Sequence, residues 1–469
     1  MKALSSTQVF YQGQLQPATV LIDQGLIVDV ITGIDISQHQ IPEQYQPLDQ
    51  HDDCGELVIM PGLVDSHVHI NEPGRTEWEG FNSATQAAAA GGITTVIDMP
   101  LNCIPVTTDL PSLQTKMACL QDQLWVDIGF HGGVIPGNAD ELRILIDAGV
   151  KSFKAFMIDS GVDEFPASDL ATLDQAMPIL AAGDATLLVH AELPTAASNE
   201  SAAQDDKLSD NNDSTEGRDL GSYEAFLSSR PDAWEMDAIA AIITLSKKHH
   251  CKVHVVHLSS ALAISMIAAA KAAGVQITAE TCPHYLTLSA EAIPDGDARF
   301  KCCPPIRSLA NQDLLWQGLK DGSIDFIVSD HSPCTPSLKL LEEQNLWEAW
   351  GGISSLQFGL SLIWTAIKKR GYSMVDLVNW MCEKPAYLAS LEHCKGQIAK
   401  GFHADLVIWD PKQIQIIDAT KTFHKHKASA YEQVEVYGQV QQTLLRGEVI
   451  YNSNDSTHFD YPPKGQSLI

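Results

Sequence analysis

Two histidines, His67 and His69, lie at the end of an apolar segment that predicts a buried β-strand. Side chains along a strand alternate between its two faces, so both imidazoles point to the same side. Neutral imidazoles in this arrangement are suited to a divalent transition metal. The pattern H-x-H also occurs often by chance, in pairs of ordinary surface or core side chains. A metal site therefore requires further ligands from elsewhere in the chain.

The elements that must supply those ligands repeat as strand followed by helix. After the first strand, for example, the helix-forming run Ala87–Ala90 ends at two glycines. The predicted strands span residues 61–69, 94–100, 125–130, 150–156, 186–190, 252–257, 275–280 and 324–330. Eight such units indicate an α/β fold with a closed parallel (β/α)8 barrel, in which chemistry takes place at the carboxyl ends of the strands.

Side chains able to bind metal end four of these strands: His67 and His69 the first, His190 the fifth, His257 the sixth and Asp330 the eighth. Chance could place one or two such residues at one rim of a barrel, but five are difficult to ascribe to chance. The sixth strand also contains His254. Because His254 lies three residues before His257, it should face the opposite side of the strand, and we expect it to pack or to contact a ligand.

Lys154 lies in the fourth predicted strand, between Phe153 and Phe156. Burial disfavours the charged form of lysine, so its pKa is expected to fall towards that of a neutral, nucleophilic amine. The alternative is a lysine whose ammonium group reaches solvent at the rim of the barrel.

The overall composition excludes several classes of partner and cofactor. The chain has 469 residues, 45% of them hydrophobic, and a net charge of -29, which disfavours nucleic acids and anionic membrane surfaces. We expect a soluble, cytoplasmic protein, because neither a secretory signal nor an apolar segment of bilayer length is present. The ten cysteines include no C-x-x-C pair, which argues against a disulfide framework or a structural zinc knuckle. Phosphate-binding Walker and G-x-G-x-x-G motifs are absent from the sequence.

The two ends of the chain differ from the middle. Segments such as Ala18–Val30 and Ala404–Trp409 alternate apolar and polar residues, which predicts short antiparallel strands that build one β module together. The segment Ser198–Asp219 is polar, acidic and without periodicity, so we expect it to be a loop inserted after the fifth strand.

Seven motifs of the chain resemble those of the cyclic amidohydrolases, and among these the allantoinases most closely. The motifs are His67–Gly80, Met99–Asn102, Ser152–Lys154, His190–Glu192, Val256–Ser260, Thr281–Tyr285 and Ser329–Cys334. The resemblance extends over nearly the whole chain. It implies a TIM barrel over residues 59–395, a small composite β-sandwich built from residues 1–58 and 396–469, and a homodimer or homotetramer.

The resemblance also implies a binuclear metal site, with zinc expected. The implied ligands are His67, His69 and Asp330 for one divalent ion, His190 and His257 for the other, and Lys154, converted by carbon dioxide to N6-carboxylysine, as the bridge. Asp330 would in addition be the catalytic proton shuttle. The expected reaction is hydrolysis of the ring amide of a small molecule, allantoin, to allantoate in purine catabolism.

Two departures from sister enzymes bear on the substrate. Dihydroorotases carry an arginine two residues after the second histidine, where this chain has Asn71. Hydantoinases and dihydropyrimidinases carry a tyrosine soon after the lysine, where this chain has Asp159. A hydantoin or dihydropyrimidine ring stays open as an alternative substrate. An inactive scaffold is a third possibility, although such a scaffold would be expected to have lost ligands.

Contacts to the substrate are predicted for four residues: Asn102, Ser160, Cys303 and Gly351. For Cys303 and Gly351 the resemblance implies contacts through the main chain. Asn102 could equally be a turn residue before Pro105. We expect His284 and His331 to orient ligands or to pack beside them.

Overall fold

The computed structural model describes residues 1–33, 41–195, 219–459 and 462–469. The predicted acidic loop Ser198–Asp219 lies outside the described residues, apart from Asp219 at its end.

One mixed sheet is built from both ends of the chain. The N-terminal part contributes β1 (Lys2–Tyr11), β2 (Gln14–Asp23), β3 (Leu26–Thr32), β4 (Gln50–Asp53) and β5 (Val58–Pro61). The C-terminal part contributes β15 (Leu406–Ile416), β16 (Glu435–Leu445) and β17 (Glu448–Asn452). The strand order is β17-β16-β15-β5-β1-β2-β3, with β4 beside β1, so the antiparallel pair of β5 and β15 joins the two ends. A shared β module is therefore confirmed, while the exact boundaries at 58, 59, 395 and 396 stay a prediction.

The middle of the chain forms the parallel barrel. Its strands are β6 (Leu63–Val68), β7 (Ile93–Asp98), β8 (Asp127–Phe130), β9 (Gly132–Gly133), β10 (Ser152–Phe156), β11 (Thr186–His190), β12 (Lys252–Val255), β13 (Ile277–Thr281) and β14 (Phe326–Ile327). Only His131 separates β8 from β9, so these two continue as the third strand of the barrel. A parallel bridge between Val68 and His331 connects the first strand to the segment after the eighth. The predicted (β/α)8 architecture is thus confirmed.

Several predicted strand ends are wrong: the second strand ends at Asp98 rather than at residue 100, and two further ends bear on the candidate site. The sixth strand ends at Val255 rather than at residue 257, and the eighth contains only Phe326–Ile327. The reason is local backbone geometry, because His257 has φ 38° and Asp330 has φ 44°, in the left-handed region that a strand cannot accommodate. Both residues therefore lie in a turn just beyond the carboxyl end of their own strand.

Helices cover the outside of the barrel and bury an apolar face against it. They are α1 (Phe81–Ala90), α2 (Leu110–Ala118), α3 (Ala139–Asp147), α4 (Leu170–Ala182), α5 (Tyr223–Ser228), α6 (Asp232–His249), α7 (Ile264–Ala272), α8 (Pro283–Thr287), α9 (Leu309–Asp321), α10 (Pro336–Lys339), α11 (Gly359–Arg370), α12 (Met374–Val378) and α13 (Lys384–Leu388). In the described part of the chain, no helix combines the length and apolar character needed to cross a membrane.

A buried ion cluster connects the barrel to the β module. Nζ of Lys395 lies 2.8 Å from Oδ2 of Asp127, at the start of β8, and also contacts Asp405 beside β15. Arg446 adds a second cation, with Nη1 2.6 Å from Oδ2 of Asp127. Burial alone would raise the pKa of Asp127, but Lys395 and Arg446 hold it below its ordinary value. The four charges are therefore mutually compensated.

Replacing Lys395 by Met should destabilise the fold, because it leaves two buried carboxylates facing one cation. Breaking a buried ion pair in this way costs about 3–5 kcal/mol. Thermal and urea unfolding of wild type and Lys395→Met would measure the loss. The matched control is Lys412→Met, which removes the exposed pair with Glu56 and should cost about 0–1 kcal/mol. Equal effects of the two substitutions would contradict the structural importance of the buried cluster.

Candidate metal centre

Three predicted ligands meet at the rim where the first and eighth strands end. Nε2 of His67 lies 3.2 Å from Oδ1 of Asp330, and Nε2 of His69 lies 3.6 Å from the same oxygen. One nitrogen from each histidine and a carboxylate oxygen of Asp330 fall within 4.8 Å of one another. All three residues are buried. The arrangement can hold one ion between three side chains.

The other two predicted histidines lie beside this group. Nδ1 of His190 is 3.0 Å from Nε2 of His257, and the rings of His257 and His67 have centroids 5.4 Å apart. The ring of Phe156 stacks on His190 at 4.4 Å. The fold thus brings together all five metal-binding side chains that were predicted at strand ends.

Lys154 is buried in the fourth barrel strand, and its side chain does not reach solvent at the rim. Burial lowers its pKa to about 8, although Asp330 and Glu280 act in the opposite direction. Across the described ranges, no carboxylate lies within ion-pair distance of its Nζ, which is 5.0 Å from the ring centroid of Phe156. Its charge contributes to lowering the pKa of His67, which places Lys154 beside the cluster. A neutral amine is therefore accessible at ordinary pH.

Buried carboxylates contact the outer nitrogens of the histidines. Oε1 of Glu280 is 2.5 Å from Nδ1 of His67, and its Oε2 is 3.0 Å from Nε2 of His254. Oε2 of Glu192 is 2.6 Å from Nε2 of His190. These contacts fix the ring orientations and leave the opposite nitrogens of His67 and His190 facing the cluster.

Glu280 and Glu192 were not identified from the sequence. The available signal for Glu280 was a carboxylate at the end of a predicted buried strand, where an acid needs a partner. Burial raises the pKa of Glu280 well above its ordinary value. Burial alone would also raise the pKa of Glu192, but Arg230 and His190 hold it at about 2.

The donor set fits divalent metal ions. Burial, together with the charge of Lys154, lowers the pKa values of His67 and His257 well below the ordinary value, so both rings are neutral. Nε2 of His67, the nitrogen that faces Asp330, is buried and has no hydrogen-bond partner among the described residues. Unpartnered polar atoms are costly in a protein interior, and a bound cation would supply their partner. Imidazole and carboxylate ligands suit zinc, cobalt, manganese or iron.

The four predicted substrate-binding residues have different surroundings, and only some of them lie near the histidines or near one another. Asn102 is buried, and its Nδ2 lies 3.2 Å from Nδ1 of His69, while its Oδ1 has no partner among the described residues. Cys303 and Gly351 are adjacent, because a Cβ added to Gly351 would lie 3.2 Å from Sγ of Cys303. The hydroxyl of Ser160 instead donates to main-chain oxygens of its own loop, at 2.6 Å to Phe165.

The positions that separate sister enzymes are also defined. Asn71 is buried, and its Nδ2 donates to the carbonyl oxygen of Pro333 at 3.2 Å. Oδ1 of Asp159 accepts a hydrogen bond from the main-chain nitrogen of Gly161 at 3.0 Å. Neither residue offers the guanidinium or phenol that the sister enzymes carry at these positions.

His284 and His331 both lie near Asp330. Both ring nitrogens of His284 are buried without a partner among the described residues, and one lies within 4.8 Å of a carboxylate oxygen of Asp330. His331 instead has Nε2 3.3 Å from Oε2 of Glu79, and its main-chain oxygen accepts from the nitrogen of His69. A separate group of potential ligands, Asp127, His403 and Asp405, contains the two carboxylates that Lys395 already neutralises.

The chain is similar in sequence to allantoinases and in structure to a hydantoinase and a dihydropyrimidinase. An allantoinase from Saccharomyces cerevisiae is 42% identical over 474 residues, covering 100% of this chain and 99% of the relative. An allantoinase from Streptomyces avermitilis is 45% identical over 465 residues, covering 99% and 98%. Among solved structures, L-hydantoinase from Arthrobacter aurescens superposes with a TM-score of 0.88 at 28% identity, covering 99% of both chains. Dihydropyrimidinase from Brevibacillus agri gives a TM-score of 0.85 at 26% identity, covering 100% of this chain and 98% of the other.

The amidohydrolase family model matches residues 58–450, which include every barrel strand and all of the strand-end cluster. Enzymes of this family carry binuclear metal sites, for which the buried histidines and Asp330 provide candidate ligands. With this match over most of its length and full-length relatives above 40% identity, the chain belongs to the amidohydrolase family.

Proposed function

We propose that this protein hydrolyses the ring amide of allantoin and releases allantoate. The observation that carries the proposal is the full-length similarity to two allantoinases, at 42% and 45% identity. The cluster of buried histidines around Asp330 supports it, because hydrolysis of an unactivated amide requires strong activation of both water and carbonyl.

The proposed site holds two divalent metal ions, with zinc as the expected metal. His67, His69 and Asp330 would hold one ion, and His190 and His257 the other. Lys154 would bridge them after its neutral amine attacks carbon dioxide, losing one proton and forming a carbamate. When bound, such ions polarise a carbonyl and lower the pKa of water from about 16 to about 7.

Asp330 is proposed to move the proton in the reaction. Its carboxylate lies just beyond the carboxyl end of the eighth barrel strand. There it could accept a proton from the attacking water and deliver it to the departing ring nitrogen. The turn at Asp330 holds the side chain at the rim, and Asp65 fixes the preceding residue by accepting from the main-chain nitrogen of Ser329 at 3.1 Å. This support leaves the carboxylate well placed for repeated proton transfer.

Asn102 and the main chain at Cys303 and Gly351 are proposed to contact the substrate, with Ser160 as a further candidate. The unpartnered Oδ1 of Asn102 is a free acceptor for an N–H group of the substrate. Asn71 gives no cation for a ring carboxylate, which disfavours dihydroorotate. A cytoplasmic location and a homodimeric or homotetrameric assembly stay predictions.

A hydantoin or dihydropyrimidine is the second candidate substrate, favoured by the likeness to the solved hydantoinase and dihydropyrimidinase. Purified protein, loaded with zinc in the presence of bicarbonate, would be assayed side by side with allantoin, hydantoin, dihydrouracil and dihydroorotate. We expect the largest kcat/KM for allantoin. A larger kcat/KM for any other ring would overturn the assignment of substrate.

Replacement of Asp330 should abolish turnover while the fold persists. Because the residue would serve as ligand and proton shuttle, we expect Asp330→Ala to reduce kcat at least about 10²–10⁴-fold, the usual contribution of general acid–base catalysis. The thermal midpoint and circular dichroism spectrum would test folding. Asp163→Ala, in an exposed position, is the control and should retain wild-type activity. An active Asp330→Ala enzyme would refute the proposed role.

Glu280→Gln should weaken metal binding without removing a ligand. The glutamine keeps the size of the side chain, but one of its two terminal atoms becomes a donor and cannot replace both carboxylate oxygens. Loss of such a supporting contact typically reduces metal affinity about 10–100-fold. Competition with a chromogenic chelator would measure it, with the exposed Glu392→Gln as control. Unchanged affinity would show that Glu280 does not orient a metal ligand.

A further inference from the structure

Two lysines, Lys301 and Lys339, are buried close to the predicted substrate contacts at Cys303 and Gly351. Within the described ranges, no carboxylate lies within ion-pair distance of either ammonium group. A buried ammonium without a counter-charge is costly unless its donors are satisfied. Burial lowers the pKa of Lys339 and lowers that of Lys301 to about 8. The donors of both lysines must therefore be satisfied by other buried groups.

Among the described residues, both ammonium groups donate only to main-chain carbonyl oxygens. Nζ of Lys339 lies 3.0 Å from the oxygen of Lys301, 2.9 Å from that of Trp350 and 2.5 Å from that of Gly352. Nζ of Lys301 lies 2.9 Å from the oxygen of Trp347 and 2.5 Å from that of Ala349. The two lysines thus join the backbone at residue 301 to the backbone of residues 347–352.

The joined segment has no regular secondary structure of its own. After α10 ends at Lys339, the next helix begins at Gly359, and only an isolated bridge at Ile353 occurs between them. Buried main-chain carbonyls normally find partners in helices or sheets. Here the lysine ammonium groups supply them, together with the main-chain bond from the nitrogen of Gly352 to the oxygen of Lys301 at 2.9 Å.

This segment also borders the metal-ligand cluster. Trp350 packs edge-on against Trp78 with ring centroids 4.7 Å apart, and it packs against the apolar group that contains Phe156. Phe156 in turn stacks on His190. Gly351 faces Sγ of Cys303 so closely that an added Cβ would lie 3.2 Å away. The segment therefore contacts Cys303 on one side and, through Trp350, the apolar group beside His190 on the other.

We propose that Lys301 and Lys339 are positioning residues that hold the backbone of Trp350–Gly352 against Cys303 and so preform one wall of the substrate pocket. The identity of the substrate in this inference rests on the proposed function. Loss of either lysine would leave carbonyl oxygens without donors and loosen the wall, whereas the metal ligands would keep their contacts. Substrate binding would weaken more than metal binding.

The test uses the full-length Lys339→Met protein loaded with zinc, whose metal content should equal that of wild type. We expect KM for allantoin to rise roughly tenfold or more, since small displacements of a binding wall have effects of this size. The rate of Cys303 alkylation by iodoacetamide, followed by peptide mass spectrometry, should also rise roughly tenfold as the wall separates from the thiol. The half-buried Cys54, Cys119 and Cys394 should react as in wild type.

Lys271→Met is the matched control. Its ammonium also donates to a carbonyl, that of Gly322 at 2.9 Å, and it pairs with Asp325 at the opposite end of the barrel. We expect unchanged KM and unchanged Cys303 alkylation in this variant. Lys301→Met tests the same wall independently if Lys339→Met does not fold.

Two results would overturn the positioning role. One is an unchanged KM together with unchanged Cys303 alkylation in the lysine variants. The other is an equal acceleration at Cys303, Cys54, Cys119 and Cys394, which would indicate general loosening of the fold. If wild type fails to hydrolyse allantoin, the proposed substrate is wrong, while the ratio of alkylation rates still decides whether the lysines hold the wall.

Discussion

The burial of neutral imidazoles at the rim of the barrel is the constraint on which this site depends. Each neutral ring offers one donor and one acceptor, and an interior position requires a partner for both. Glu280 and Glu192 form hydrogen bonds with the outer nitrogens of His67 and His190, respectively. Their inner nitrogens face a shared space that also contains Asp330 and His257. Two cations bound in this space would give the inner nitrogens the partner that they lack and would also balance the negative charge of the buried carboxylates.

The barrel provides the rigidity that such a cluster needs. His67 and His69 leave from a strand whose end is connected to the segment after the eighth strand by the hydrogen bond from the nitrogen of His69 to the oxygen of His331, at 2.8 Å. At the amino end of β8, the third strand of the barrel, Asp127 is held to the β module by Lys395 and Arg446. The module thus contributes to stability at the face opposite the chemistry, which leaves the rim free to carry ligands.

The sequence predicted the barrel correctly, and it pointed to five side chains that the fold brings together, because strand alternation and the position of a residue at a strand end depend on local pattern. It did not predict where strands six and eight end, since the left-handed turns at His257 and Asp330 follow from tertiary contacts rather than from residue preference. Glu280 was missed because a single acid at the end of a predicted strand does not reveal its partner. Lys301 and Lys339 were missed for a related reason, since lysines are usually exposed. Ser160, proposed as a contact, has its hydroxyl engaged within its own loop, which local sequence could not indicate.

We propose that the strand-end cluster holds two divalent ions bridged by a modified Lys154. Crystallography of the zinc-loaded protein grown with bicarbonate, with anomalous data collected on both sides of the zinc absorption edge, tests it most directly. We expect two anomalous peaks about 3.5–4 Å apart, one beside His67, His69 and Asp330 and the other beside His190 and His257. We also expect electron density for a carboxyl group on Nζ of Lys154 between the peaks. A single peak, or two peaks with an unmodified lysine, would contradict the account.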